Sequence, residues 1–161
     1  MTIADLNSIT AAEVSPHLLA CCGSPSWVAA ILHQRPYLDA AALQRAAAEI
    51  WHSLTPADWR EAFSKHPKIG QNRHLTQWSS QEQSGMQSAA TNVTSKLADL
   101  NEAYFAKFGF IFIVCATGKT AAEMLHLLEE RLPNTADQEL RIAAAEHAKI
   151  TSLRLDKLLA S

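Results

Sequence analysis

This chain of 161 residues contains few cysteines and no long hydrophobic run. The three cysteines are Cys21, Cys22 and Cys115, and none belongs to a Cys-x-x-Cys pair. This pattern argues against a disulfide framework and against a structural zinc site, so we expect three small buried hydrophobic residues. No apolar stretch approaches the roughly 20 residues that a membrane-spanning helix needs.

The chain also lacks an excess of charge of either sign. It contains 14 Lys and Arg residues and 16 Asp and Glu residues, which gives a formal net charge of -2. Nucleic-acid binding and attachment to anionic membranes both require clustered positive charge, so neither partner is expected. The N-terminus carries an early acid, Asp5, and no basic region before an apolar run. No secretory signal is therefore predicted, and the expected location is cytoplasmic.

Hydrophobic residues make up 48% of the chain, which is enough for one compact core, so residues 1–161 are predicted to form a single domain. Helix starts are marked by Ser or Thr with an acid or amide three residues later, a spacing that satisfies free backbone N–H groups. The marked pairs are Thr10 with Glu13, Thr55 with Asp58, Ser79 with Glu82, and Thr120 with Glu123.

Three stretches follow the helical repeat, namely residues 39–54, 120–132 and 139–159. Residues 110–114 (Phe-Ile-Phe-Ile-Val) favour a strand by composition, but no second strand or hairpin is recognisable. We therefore interpret them as a buried extended or helical segment, and residues 67–78 as the longest loop. The predicted fold class is all-α, a single-domain multi-helix bundle.

His66 is the first residue with catalytic potential, because it follows a predicted helix and precedes Pro67. Proline restricts the residue before it, and an imidazole near its ordinary pKa suits proton transfer at neutral pH. The alternative is an ordinary helix-terminal histidine favoured by the helix dipole.

Glu82 and Arg154 are further candidates, each with an alternative. Glu82 either caps its own helix through Ser79 or points at a ligand or at His66. Arg154 is either a solvated arginine or a planar guanidinium that binds a carboxylate or urea group. The 110–114 segment is either core or, beside Gly109 and Gly118, a source of backbone groups lining a pocket. No HExxH or clustered metal-ligand motif is present, so no metal is predicted.

Several motifs, in order and spacing, resemble the OHCU decarboxylase family (2-oxo-4-hydroxy-4-carboxy-5-ureidoimidazoline decarboxylase). They cover nearly the whole chain and are Cys21-Cys22-Gly23-Ser24, Arg35-Pro36-Tyr37, His66-Pro67-Lys68-Ile69-Gly70, Trp78-Ser79-x-x-Glu82-Gln83-Ser84, Leu100-Asn101-x-x-Tyr104-x-x-Lys107-Phe108-Gly109-Phe110, and Lys149-Ile150-x-x-Leu153-Arg154-Leu155. One departure is Ile111, which stands where the family usually has proline and so retains a backbone N–H.

The resemblance implies an all-helical enzyme that converts this small-molecule substrate to (S)-allantoin with loss of CO2, within urate catabolism and without a cofactor. It implies His66 and Glu82 as catalytic residues, and it suggests a homodimer. The implied substrate-binding residues are Pro67, Ser79, Ser80, Gln81, Gln83, Phe110, Ile111, Phe112, Ile113, Val114 and Arg154. Two other interpretations are a non-catalytic helical interaction module and a hydrolase of a neighbouring ureide step, which would usually need a metal-activated water.

Overall fold

The computed structural model describes residues 1–67 and 87–161, with side chains from residue 92 in the second range. In that part the chain forms helices joined by short connections, and it contains no β-strand, which confirms the predicted all-α class. The helices are α1 (Ile3–Ser8), α2 (Ala11–Cys22), α3 (Pro25–His33), α4 (Ala40–Ser53), α5 (Pro56–Ser64), α6 (Gln87–Phe108), α7 (Ala121–Arg131) and α8 (Ala136–Ala160). None of these helices has the combination of length and apolar character needed to cross a bilayer.

Side-chain caps fix the starts of several helices. Reciprocal capping boxes begin α2 at Thr10, α5 at Thr55 and α7 at Thr120, as the sequence predicts. Thr2 forms a further box with Asp5 at the start of α1. The predicted box of Ser79 with Glu82 lies outside the described residues.

Helix boundaries agree with the sequence in one place and differ in another. Helix α4 has Asp39 as its N-cap and Leu54 as its C-cap, which are the predicted limits. Helix α8 begins at Ala136, three residues before the predicted start at 139. The reason is a cap at Thr135, whose backbone N–H and hydroxyl both donate to the side chain of Gln138.

The chain divides into two compact units, one made of residues 1–65 and 144–161 and the other of residues 66–143. Aromatic side chains fill the interior of the first unit. Trp27 and Trp51 are buried, and their indole N–H groups donate to the carbonyls of Ala47 (3.0 Å) and Ala144 (2.9 Å). The predicted single domain, residues 1–161, stays a prediction.

The second unit has its own aromatic core, which sits against the predicted binding segment. Tyr104 lies within about 6 Å of three phenylalanine rings, with centroid distances of 4.6 Å to Phe108, 5.9 Å to Phe110 and 5.4 Å to Phe112. Edge-to-face rings at these distances stabilise one another beyond the area they bury. Helices α6 and α7 pack together and supply much of this core.

Candidate active site

His66 lies just beyond the end of α5, on the exit loop that the sequence predicts. The helix ends at Ser64, and the N–H of its C-cap residue, Lys65, donates to the carbonyl of Ala62. His66 is half-buried, and Pro67 after it is exposed. An imidazole at this position is partly shielded from solvent and partly accessible, as a group that exchanges protons with a bound molecule requires.

The other predicted catalytic residue, Glu82, lies outside the described residues. The same holds for four predicted substrate-binding residues, which are Ser79, Ser80, Gln81 and Gln83. The convergence of His66 and Glu82 on one pocket therefore stays a prediction.

The 110–114 segment is an irregular, mostly buried stretch of backbone. Phe110, Phe112, Ile113 and Val114 are buried, and Ile111 is half-buried. The segment follows α6 directly, because Gly109 adopts a left-handed conformation with φ 77° and ends that helix. The sequence left open whether this segment is extended or helical, and the structure shows that it is not helical.

Peptide groups of this segment are available for binding. Within residues 1–67 and 87–161, the backbone N–H groups of residues 111–115 form no hydrogen bond with another backbone group. Buried backbone donors are nearly always paired in folded proteins, either with protein groups or with bound molecules. The segment thus offers a set of donors that suits the carbonyl and urea-like edges of a small polar ligand.

Cationic side chains hold two carbonyl groups of the same stretch. Arg131 Nη1 donates to the carbonyl oxygen of Ile113 at 2.6 Å, and Lys119 Nζ donates to that of Cys115 at 2.7 Å. Hydrogen bonds from charged donors are stronger than neutral ones. These two bonds therefore fix backbone that belongs to no helix or sheet.

Arg131 is itself part of a buried cluster that the sequence did not predict. Its guanidinium pairs with the fully buried carboxylate of Glu139, which also accepts a hydrogen bond of 2.6 Å from the Tyr104 hydroxyl. Burial raises the pKa of Tyr104, and the bond to Glu139 raises it further, so this phenol stays protonated and donates. The sequence marks Tyr104, because it lies within the 100–110 motif, but no sequence pattern connects it to residues 131 and 139.

Arg154 belongs to the first unit, where it lies at the carboxyl end of α2. It is half-buried, and its Nη1 donates to the carbonyl of Ala20 at 3.1 Å. The carboxyl end of a helix carries partial negative charge, which favours a cation there. This bond uses one of the five guanidinium donors and orients the planar fork.

The predicted state of the three cysteines can be checked directly, and two further histidines lie in contrasting surroundings. Cys21, Cys22 and Cys115 are all free and buried, which confirms their expected state. His147 is fully buried and stacks on Trp51 with ring centroids 4.3 Å apart, whereas His126 is exposed beside Glu130. Among the described residues, no group of three His, Cys, Asp or Glu side chains has the geometry of a metal site.

The sequence pattern of the OHCU decarboxylase family matches residues 7–156. The chain belongs to the OHCU decarboxylase family. A crystal structure of an OHCU decarboxylase, determined in the presence of (S)-allantoin, is similar to this protein with a TM-score of 0.75 and 40% sequence identity. The similarity covers 89% of this chain and 96% of that one.

The relatives of this chain include a much longer protein and a protein of similar length. The chain is 42% identical over 146 residues to the uric acid degradation bifunctional protein TTL of Arabidopsis thaliana, covering 86% of this chain and 45% of the relative. It is 30% identical over 141 residues to the 2-oxo-4-hydroxy-4-carboxy-5-ureidoimidazoline decarboxylase of Amia calva, covering 84% of this chain and 81% of the relative. The chain thus spans less than half of the plant bifunctional protein but most of the Amia calva enzyme.

Proposed function

We propose that this protein is a carboxy-lyase that decarboxylates 2-oxo-4-hydroxy-4-carboxy-5-ureidoimidazoline to (S)-allantoin during urate degradation. The observation that carries the proposal is the 40% identity to an OHCU decarboxylase crystallised with (S)-allantoin, across 96% of that chain. The backbone donors of residues 111–114 support it, because the substrate presents carbonyl and urea oxygens.

The reaction requires a place for the electron pair left by the departing CO2. When the bond to the carboxylate carbon breaks, that pair forms a C=C bond to the neighbouring ring carbon, and the π pair of the C=N bond on that carbon moves to its nitrogen, which takes up a proton. The hydroxyl group on the carbon that lost CO2 then gives up its proton and becomes a carbonyl, while the neighbouring ring carbon takes up a proton and becomes the (S) centre of the product. Because the substrate contains its own electron sink, we propose that no cofactor takes part, and the protein's role is to position the ring, exclude water and move protons.

His66 is proposed to move the proton, and Glu82 to orient His66 or hold the hydroxyl and ureido groups. The side chains of Ser79, Ser80, Gln81 and Gln83, together with Pro67, are proposed to line the substrate. The peptide groups of residues 110–114 bind the urea-like edges, and Arg154 holds the carboxylate that leaves or a ring carbonyl. Delivery of the proton to one face of the ring accounts for a single enantiomer.

The decisive experiment generates the unstable substrate from urate in situ and follows its decay by circular dichroism. We expect the protein to accelerate the decay and to give (S)-allantoin in excess. Removing a general acid–base group typically costs about 10²–10⁴-fold, so His66→Asn is expected to lower kcat by that amount. The control is His126→Ala, because His126 is an exposed histidine on α7.

Two results would contradict the proposal. Decay at the same rate with and without the protein would remove the proposed activity, and a helical interaction module would then be the better description. A wild-type rate of (S)-allantoin formation by His66→Asn would remove the role of the imidazole alone.

Cofactor independence, a cytoplasmic location and a homodimeric assembly complete the proposal. Full activity after exhaustive dialysis against a chelator is the expected result for the first, and loss of activity restored by metal would favour the hydrolase alternative. Cell fractionation tests the location, and light scattering during size-exclusion chromatography tests the assembly.

A further inference from the structure

The carboxylate of Glu139 is the centre of a buried polar cluster in the second unit. Arg131 Nε donates to Glu139 Oε1 at 2.6 Å, and Arg131 Nη2 forms an ion pair with the same oxygen. Tyr104 donates to that oxygen, and Asn134 Nδ2 donates to Oε2 at 3.1 Å. The carboxylate is thus surrounded by donors from α6, from α7 and from the turn before α8.

The other side of the Arg131 guanidinium faces the 110–114 segment. Nη1 donates to the carbonyl of Ile113 at 2.6 Å, and the guanidinium carbon lies 4.5 Å from the ring centroid of Phe112. A guanidinium is planar and rigid, so fixing Nε and Nη2 on Glu139 also fixes the direction of Nη1. The position of the Ile113 carbonyl is therefore set by a carboxylate 26 residues further along the chain.

Irregular backbone needs such an anchor more than a helix or strand does. Within the part of the chain that the structure describes, residues 111–115 have no backbone hydrogen bonds that would hold their peptide planes. Apart from packing, the anchors are the bonds from Arg131 to Ile113 and from Lys119 to Cys115. Arg131 is the more deeply placed of the two, because it is buried whereas Lys119 is half-buried.

We propose that Arg131, held by Glu139 and Tyr104, is a positioning residue for the decarboxylation. It acts through Ile113, keeping the peptide groups of residues 111–114 where they bind the substrate. This inference rests on the proposed function. Because these groups bind the substrate before and during the reaction, their displacement weakens both states alike and appears mainly as a higher KM.

The test separates positioning from folding by removing both charges together. A single substitution leaves a buried charge without its partner, which is strongly destabilising, whereas a neutral pair of similar volume is often tolerated. The double variant Arg131→Met with Glu139→Gln keeps an acceptor for the Tyr104 hydroxyl and removes the donor to the Ile113 carbonyl. The control is Lys107→Met, which removes a cationic donor to the carbonyl of Leu132 in the same unit.

We expect the double variant to melt within a few degrees of wild type and to show a KM about tenfold higher or more, with kcat changed less. The Lys107→Met control is expected to keep the wild-type KM. A general structural defect gives a different signature, because it lowers the fraction of active protein and hence kcat, and leaves KM unchanged.

Several outcomes overturn the proposal. A folded double variant with wild-type KM contradicts it, as does a fall in kcat alone. Should the double variant fail to fold, Arg131→Lys decides, because an ammonium still pairs with Glu139 but cannot hold two acceptors in the fixed geometry of a guanidinium. A wild-type KM in that variant equally overturns the proposal. Failure of the proposed function is distinguishable, because it shows as an inactive wild-type protein.

Discussion

At the scale of single residues, the Arg131–Glu139 pair has a large and asymmetric effect on stability. The Glu139 side chain is fully buried, and that of Arg131 is 9% exposed, so both charges are almost removed from water. Loss of one partner from such a pair costs about 3–5 kcal/mol, mainly because the other charge remains buried and uncompensated. Replacing a buried ion pair by apolar residues of similar volume is often neutral or stabilising, so stability alone does not require this pair.

Cys22 leads to a prediction about chemical reactivity. Burial raises the pKa of its thiol to about 12, well above the usual range for a cysteine. A thiol is protonated below its pKa, so at pH 8 the reactive thiolate is about a thousandfold rarer than in an ordinary cysteine. We expect alkylation of Cys22 by iodoacetamide at pH 8 to be at least about tenfold slower in the native protein than in urea, as measured by mass spectrometry of the peptide.

Labelling of Cys22 in the native protein at the unfolded rate would contradict the buried position of this side chain. Cys21 is the sequence neighbour of Cys22, and burial raises the pKa of that thiol as well. Comparison with a Cys22→Ala variant shows which of the two cysteines accounts for the slow alkylation.

At the scale of helices, glycine ends α2 and α6 in the same way but in different surroundings. Gly23 and Gly109 have φ of 79° and 77°, and each N–H donates to the carbonyl four residues earlier. A Cβ on Gly23 would lie 3.1 Å from the side chain of Lys65, whereas one on Gly109 would meet nothing within 4 Å. The two sites therefore separate backbone strain from steric crowding.

We expect Gly109→Ala to lower the free energy of unfolding by about 1–2 kcal/mol, because alanine is strained in the left-handed region. Gly23→Ala is expected to cost about 1 kcal/mol more, because the new methyl group also crowds Lys65. Urea unfolding monitored by circular dichroism measures both. An equal loss at the two sites would show that the Lys65 side chain moves aside without cost.

Sequence signals were sufficient where a feature is local and insufficient where it is not. The boxes at Thr10, Thr55 and Thr120 involve residues three positions apart, so spacing alone revealed them. The early start of α8 was missed although its box pairs Thr135 with Gln138 at the same spacing, because only the apolar repeat was used to place the start of that helix. The cluster of Tyr104, Arg131 and Glu139 joins residues up to 35 positions apart, and no periodicity encodes such a contact.

The same difference between local features and distant contacts applies to the candidate site. His66 was proposed as a candidate because a proline and a helix end mark it locally, and α5 does end at Ser64, two residues before it. The 110–114 segment was recognised as buried from its composition. That Arg131 holds the Ile113 carbonyl, and Lys119 that of Cys115 just after the segment, follows from side-chain packing, which composition does not specify.

At the scale of the whole molecule, one helix belongs to both compact units. Helix α8 extends from Ala136 to Ala160, and the division falls between residues 143 and 144 within it. A helix interrupted in the middle loses hydrogen bonds on both sides of the break, so neither part of α8 is independent of the other.

We therefore expect the two units to unfold together in one transition, as a single domain does. Differential scanning calorimetry should give a calorimetric enthalpy equal to the van't Hoff enthalpy. Two separated transitions, or a van't Hoff enthalpy well below the calorimetric one, would indicate that the units are separate domains.

The way Glu139 governs the Ile113 carbonyl has a consequence for protein engineering. A loop whose shape resides in its own turns is portable, since its sequence can be transplanted by itself. The 110–114 segment lacks that autonomy, because its anchor comes from a guanidinium and a carboxylate on two later helices. A recipient scaffold would have to receive residues 104, 131 and 139 along with the loop. Libraries that randomise the loop but keep these three residues unchanged sample only those backbone conformations in which Arg131 can still bind the loop.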